Sequence, residues 1–168
     1  MRKIRLVLAA ALAVVMPCLA ATVDRTSALD ARLLAAHNRE RTALGLPALA
    51  WDARLARDAQ AWAAQLARRG TMVHAAETSD GENLWAGTSG QYAPEEMVGL
   101  WLAEKADFRP GVFPNVSKSR DFAAVGHYTQ IIWRTTERVG CAVAGNGRED
   151  FLVCRYARPG NVIGERPI

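Results

Sequence analysis

Cysteine and histidine are both scarce in this chain of 168 residues, with three of each. One of the cysteines, Cys18, falls in the amino-terminal segment, so a cysteine-dense scaffold and a multi-cysteine zinc module are both excluded. No HExxH pair occurs, and no GxSxG elbow, which removes the usual sequence signs of a metalloprotease and of a serine hydrolase. No repeat, linker or low-complexity stretch divides the chain. No basic run with interleaved aromatics is present, so nucleic acid is not an expected partner. The one long apolar run, Leu6 to Met16, is too short to cross a bilayer comfortably, which takes about 20 residues.

That run has a different reading. Arg2, Lys3 and Arg5 precede it, and Pro17 and the small-residue end Cys18-Leu19-Ala20 follow it. This is the pattern of a secretory signal peptide over residues 1–20, cut near Ala20 or Ala21. A lipid anchor on Cys18 is the alternative, and Met16 and Pro17 fit poorly before a lipidated cysteine. Three of the 21 basic residues and none of the 17 acidic ones lie in this segment, so residues 21–168 are nearly neutral at +1. The expected location is extracellular or periplasmic, with no transmembrane anchor in the mature chain. Residues 21–168 have the length of one domain with a sizeable core.

Periodicity predicts helices first and strands last. A helix is expected from Ser27 to Leu44, with Leu33, Leu34, His37, Arg41 and Leu44 along one side and Ser27 as its cap. A second is capped by Asp52, carries the stripe Leu55, Ala59, Trp62, Ala63 and Leu66, and ends at Gly70. A third starts at Pro94 with Glu95 and Glu96 in its first turn. Strands are expected over Ile131–Trp133, Val139–Ala144 and Phe151–Tyr156, and Glu82–Ala86 reads as a strand or a helical turn. This order gives an α+β fold with helices on an antiparallel sheet. Setting Ala144 opposite Phe151 in the last hairpin brings Cys141 opposite Cys154. Opposed positions lie close enough for a disulfide, and in an exported chain that pairing is the first reading, ahead of a catalytic cysteine.

Few side chains are candidates for chemistry. Glu104 falls in a row with Met97, Trp101 and Phe108, so a carboxylate sits within an apolar stripe. It must find a partner, bind metal or reach water. His74 precedes a turn. His127 lies between Gly126 and Tyr128, ahead of a buried run. Two imidazoles with carboxylates suit zinc or a similar divalent ion, although the spacing of these residues alone is weak evidence. His37, on the apolar side of the first helix, reads as a hydrogen-bonded core residue.

Five segments in order sharpen this. They are His37-Asn38-Arg39-Glu40-Arg41, Leu46-Pro47-Ala48-Leu49-Ala50-Trp51-Asp52, Gly81-Glu82-Asn83-Leu84, Trp101-Leu102-Ala103-Glu104 and Gly126-His127-Tyr128-Thr129-Gln130-Ile131-Ile132-Trp133. Together they resemble the CAP superfamily (cysteine-rich secretory, antigen 5 and pathogenesis-related 1 proteins) over nearly all of residues 21–168. The likeness is to a single-domain, bacterial-type member. Tyr156-Ala157-Arg158-Pro159-Gly160-Asn161 departs from the family's YxPxGN, with Arg158 in the proline slot, and Pro159-Gly160 predicts a type II turn.

The resemblance implies an α-β-α sandwich with helices on both faces of a small, mainly antiparallel sheet. It also implies a cleft lined by His74, Glu82, Glu104 and His127. On this reading His74 and His127 are metal ligands, and the cofactor is zinc or another divalent cation. The ligand is small and apolar, such as a lipid or sterol, and Trp85, Tyr92, Trp101, Phe108 and Phe113 are candidates to contact it. Two alternatives stay open. One is a metal-dependent hydrolase with Glu82 or Glu104 as base. The other is a surface-interaction protein acting through loops 75–80, 87–93 and 109–121.

Overall fold

In the computed structural model, residues 25–76 and 78–168 are described, with side chains from position 28 onward. The expected signal segment and Cys18 lie outside them. The elements are α1 (Arg25–Ala43), β1 (Ala50–Trp51), α2 (Ala53–Arg69), β2 (Gly81–Thr88), α3 (Pro94–Ala103), α4 (Gly126–Ile131), β3 (Arg138–Gly145) and β4 (Glu149–Ala157). Two 3-10 turns, Glu104–Ala106 and Phe122–Val125, flank the long loop between α3 and α4.

Helix α2 follows from its sequence. Asp52 Oδ1 accepts from Arg54 N at 2.8 Å and Leu55 N at 3.1 Å, and so satisfies two of the orphan amides at the helix start. Gly70 ends the helix in the left-handed region, at φ 62°, where glycine carries no steric penalty. Leu55, Ala59, Ala63 and Leu66 are fully buried. Trp62 is a correction: it is only partly buried, so it borders that core rather than filling it. The expected Ser27 cap is also corrected, because α1 already runs from Arg25.

The sheet has the order β1-β3-β4-β2. Strands β2, β3 and β4 pair antiparallel, and two-residue β1 adds a short parallel pairing at Arg138 and Val139. Alternation of side chains along the strands divides the core in two. Val139, Cys141, Leu152, Cys154 and Tyr156 face α1, α3 and α4, while Ala142, Phe151, Val153 and Leu84 face α2. Helices therefore cover both faces, as expected. Helix α2 lies so close to β3 that a Cβ on Gly140 would fall 2.3 Å from Ala56 N.

The hairpin register matches the expected one. Ala144 faces Phe151 and Cys141 faces Cys154, and the two cysteines form a disulfide with their Cα atoms 4.1 Å apart. That is the narrow spacing of a pair without mutual backbone hydrogen bonds.

Two readings are corrected here. Ile131–Trp133 is not a strand: Ile131 ends the six-residue helix α4, and Ile132 and Trp133 follow it. All three are buried, and a fully buried apolar run carries no period that separates strand from helix. Tertiary contacts decide instead. Thr129 Oγ1 donates to Asn161 Oδ1 at 2.6 Å, and Arg41 holds the helix end. Gly160 does not adopt the left-handed conformation of a type II turn; Asn161 does, at φ 58°. Gly160 is required for space, since a Cβ there would lie 2.9 Å from Trp133 Cγ.

The first motif on α1 is structural. Asn38 brackets Leu49, accepting from its N–H at 2.7 Å and donating to its carbonyl at 3.0 Å. Arg41 is fully buried and donates to Pro47 O (2.8 Å), Ile131 O (2.8 Å), Trp133 O (2.8 Å) and Thr136 O (3.1 Å). Burial pulls its pKa down to about 10, so it remains charged at neutral pH. His37 is the expected core residue. Its ring nitrogens lie 2.8 Å from Leu33 O and 2.9 Å from the Tyr156 hydroxyl. Burial pushes its pKa down to about 4 from 6.5.

Two outcomes follow. Arg41→Met takes the guanidinium away from four carbonyls, of which Trp133 O keeps the Thr136 amide as a donor, and should destabilise the fold by about 3–5 kcal/mol in urea melts. His37 binds its proton more weakly folded than unfolded, so the stability it protects is complete above about pH 6.5 and lost as the pH falls toward 4. At about 1.4 kcal/mol per unit this approaches 3 kcal/mol. Urea melts of His37→Gln should therefore decline less than those of the unaltered protein between pH 7 and pH 4.5, and equal declines would refute the assignment.

Candidate functional site

The four candidate residues converge in two imidazole–carboxylate pairs. His74 lies in the irregular segment after α2, and Glu82 is the second residue of β2. His74 Nδ1 lies 2.6 Å from Glu82 Oε1, and the same oxygen accepts from Ala75 N at 3.1 Å. The hydrogen bond to Glu82 raises the His74 pKa above 6.5, with burial and the nearby Arg155 charge opposing.

The second pair is built alike. Glu104 is where α3 tightens into a 3-10 turn, which takes its carboxylate out of the apolar row and onto α4. His127 Nδ1 lies 2.6 Å from Glu104 Oε1, and Tyr128 N donates to Glu104 Oε2 at 3.0 Å. The stranded carboxylate expected from the sequence has thus found an imidazole and an amide. His127 also stacks on Trp101, with centroids 5.8 Å apart and planes 14° apart. Asn83 anchors it from below, donating to His127 O and to the Tyr156 hydroxyl at 3.1 Å each.

In both pairs the carboxylate sits on Nδ1. It accepts the Nδ1 proton and leaves Nε2 as the unprotonated, electron-donating nitrogen of the neutral ring. Both histidines line one cleft of about 290 Å³, together with Glu82, Asn83, Phe122, Ala123, Gly126 and Asn161. Glu104 stands behind His127, outside that lining. The side chains of His74 and His127 are 64% and 32% exposed, against 5% and 19% for Glu82 and Glu104, so the rings meet solvent and the carboxylates support them.

Among the described residues, the one group of three His, Cys, Asp or Glu ligand atoms within 4.8 Å of one another is His37, Cys141 and Cys154. Its sulfurs are joined to each other and both of its ring nitrogens are hydrogen-bonded, so it holds no metal in the oxidised protein. The four cleft residues do not form so tight a group. An ion there would be held by two imidazoles and complete its shell with water.

None of the expected aromatic contacts lines the cleft. Trp85, Trp101 and Phe113 are buried, Phe108 is partly buried, and Tyr92 is exposed beside Trp85. Phe122, half-exposed, takes that position, and no sequence signal marked it. Asn161 was missed as well. It donates to Gly126 O at 2.9 Å and accepts from Thr129 Oγ1 at 2.6 Å. Arg155 had a legible signal: it is an arginine within the apolar strand Phe151–Tyr156. It lies opposite Glu82 in the sheet and 3.0 Å from its Oε2.

The comparisons with known proteins agree with this architecture. Residues 34–156 match the model of CAP, the cysteine-rich secretory protein family. The pathogenesis-related protein PR-1 type of Sambucus nigra is 35% identical over 133 residues, covering 79% of this chain and 77% of its own. The structure of BmVAL-1 superposes with a TM-score of 0.69 at 23% identity, over 83% of this chain and 81% of its own. The crystal structure of NaASP2 with Zn2+ gives 0.67 at 22% identity, over 82% and 83%. The chain belongs to the CAP family.

The tautomers are open to measurement. In long-range 1H–15N spectra in weakly alkaline solution, both cleft histidines should carry the proton on Nδ1. Glu82→Ala should shift only His74 toward the Nε2–H form, and Glu104→Ala only His127. Nε2–H rings in the unaltered protein would contradict the geometry.

Proposed function

We propose that the cleft is a binding site for a divalent cation, held by Nε2 of His74 and His127 and oriented by Glu82 and Glu104. The observation that carries this reading is the repeated Nδ1–carboxylate pair, which presents two ring nitrogens to one cleft. Zinc suits this donor set best, being a borderline-soft ion that favours imidazole. Bound there it would supply a positive charge and an exchangeable coordination position. The zinc named with NaASP2 belongs to that protein, and its shared fold supports the comparison.

The same cleft is proposed to accept a small apolar ligand, such as a lipid or sterol. Phe122 lines it, and Met72 and Val73, next to His74, are exposed at 54% and 48%. Binding is favoured over hydrolysis because the carboxylate oxygens are already engaged. Glu82 Oε1 and both oxygens of Glu104 accept from the two rings and two backbone amides, and Glu82 Oε2 faces Arg155. A general base needs an oxygen directed at water. Export is part of the proposal. The basic and apolar start of the sequence supports it, as does a disulfide of the kind that persists in oxidising compartments.

Calorimetric titration of the metal-stripped protein with zinc should show saturable binding near one ion per chain. The double substitution His74→Ala/His127→Ala should abolish it with the fold retained. Glu82→Gln and Glu104→Gln should each weaken it by ~10–100-fold, as loss of an orienting partner does. A folded protein that takes up no zinc would overturn the metal reading and shift attention to the loops around the cleft.

A further inference from the structure

Behind Glu82, on the side away from the cleft, a second cationic group is left with unused capacity. The Arg155 side chain is only 6% exposed, and among the described residues its one ion pair is with Glu82 Oε2 at 3.0 Å. That contact is an ion pair without hydrogen-bond alignment: Glu82 Oε2 and Arg155 Nε are both buried with no hydrogen-bond partner. Arg41, equally buried, makes four hydrogen bonds to carbonyls. A buried guanidinium with an idle N–H is costly and ordinarily finds an acceptor.

Arg155 lines a cavity of about 510 Å³ between α2 and the segment after His74. Its α2 wall carries Trp62, Gln65 and Arg69, and Ala61, Ala75 and Ala76 complete an apolar side. The Arg69 guanidinium lies 5.6 Å from the centre of the Trp62 ring. Trp62 is itself fixed by its indole N–H, which donates to Val73 O at 3.1 Å. Among the described residues of the lining, the one acid is Asp58, and it is paired with Arg54 at 2.9 Å. The cavity thus offers two guanidinium groups, an amide and a small apolar floor.

We propose that this cavity binds a small organic carboxylate, with its oxygens accepting from the Arg155 and Arg69 guanidinium groups that line it and its short apolar body against Trp62 and the alanines. A planar guanidinium matches a planar carboxylate, and the apolar floor gives a carbon chain a place that an inorganic oxyanion cannot use. The site does not depend on a metal in the cleft. It does share Arg155 with Glu82, so a bound carboxylate competes with Glu82 for the guanidinium, and the two sites influence each other reciprocally.

The test is a titration of the metal-stripped protein with propionate, followed by the Arg155 Nε–H and Trp62 indole resonances in 1H–15N spectra. Parallel titrations use inorganic phosphate and sodium chloride. Propionate should shift both resonances saturably, and chloride should not. Arg69→Gln should weaken the response by roughly tenfold, as loss of one charge-assisted bond does, and Arg155→Gln should abolish propionate-induced shifts at Trp62. If Arg155→Gln does not fold, Glu82→Gln/Arg155→Gln removes both buried charges and should restore the fold without restoring binding. Absence of saturation with propionate would overturn the proposal. So would a response unchanged in Arg69→Gln, or saturation by phosphate with none by propionate.

Discussion

The cleft wall hangs on the Arg41 guanidinium. Four carbonyls from the turn after α1, the end of α4 and the turn before β3 converge on it. One of them, on Ile131, belongs to the end of α4, where a short helix leaves carbonyls unsatisfied and favours positive charge, and another, on Trp133, lies two residues beyond it. Helix α4 has six residues, too few to persist by propensity alone. Its second residue is His127. The position of one candidate ligand therefore rests on a cation buried more deeply than the ligand itself.

A second chain of contacts runs from the same helix to the same site. His37 meets the Tyr156 hydroxyl, which accepts from Asn83, and Asn83 also donates to the His127 carbonyl. Burial holds the Tyr156 hydroxyl well above its usual pKa, so this row of polar groups stays neutral within the apolar layer. Each group in the row has a partner, the condition under which buried polar groups rigidify a core rather than weaken it. The disulfide lies beside it. It closes a loop of 13 residues, for which about 3 kcal/mol is the scale. It reinforces a hairpin that the register already defines.

Much of this was legible in the sequence, and for identifiable reasons. Helix α2 carried its start, stripe and stop in local chemistry, and setting Ala144 opposite Phe151 in the hairpin placed the cysteines in register. Glu104 stood out because a carboxylate in an apolar row needs an explanation. What was illegible depended on contacts distant in sequence. Ile131–Trp133 is helix end and turn only because Arg41 and Thr129 hold it so. Strand β1 has two residues and no pattern of its own. Phe122 reaches the cleft through a loop whose path no periodicity describes. The family resemblance brought His74 and Glu82 into the same set as His127. Spacing alone did not.

The two sides of the cleft are supported unequally. His127 belongs to a helix and has Trp101 against its ring, Asn83 on its carbonyl and Glu104 on its Nδ1. His74 sits in a segment without regular structure, and Glu82 is the partner of its ring. On the His74 side the wall is pinned through neighbouring residues instead, by Trp62 on the Val73 carbonyl and by Glu82 on the Ala75 amide. Glu82 is thus a double clasp, for it fastens both the ring and the backbone beside it, and its loss would release one wall of the cleft while the helical layer behind His127 kept its place.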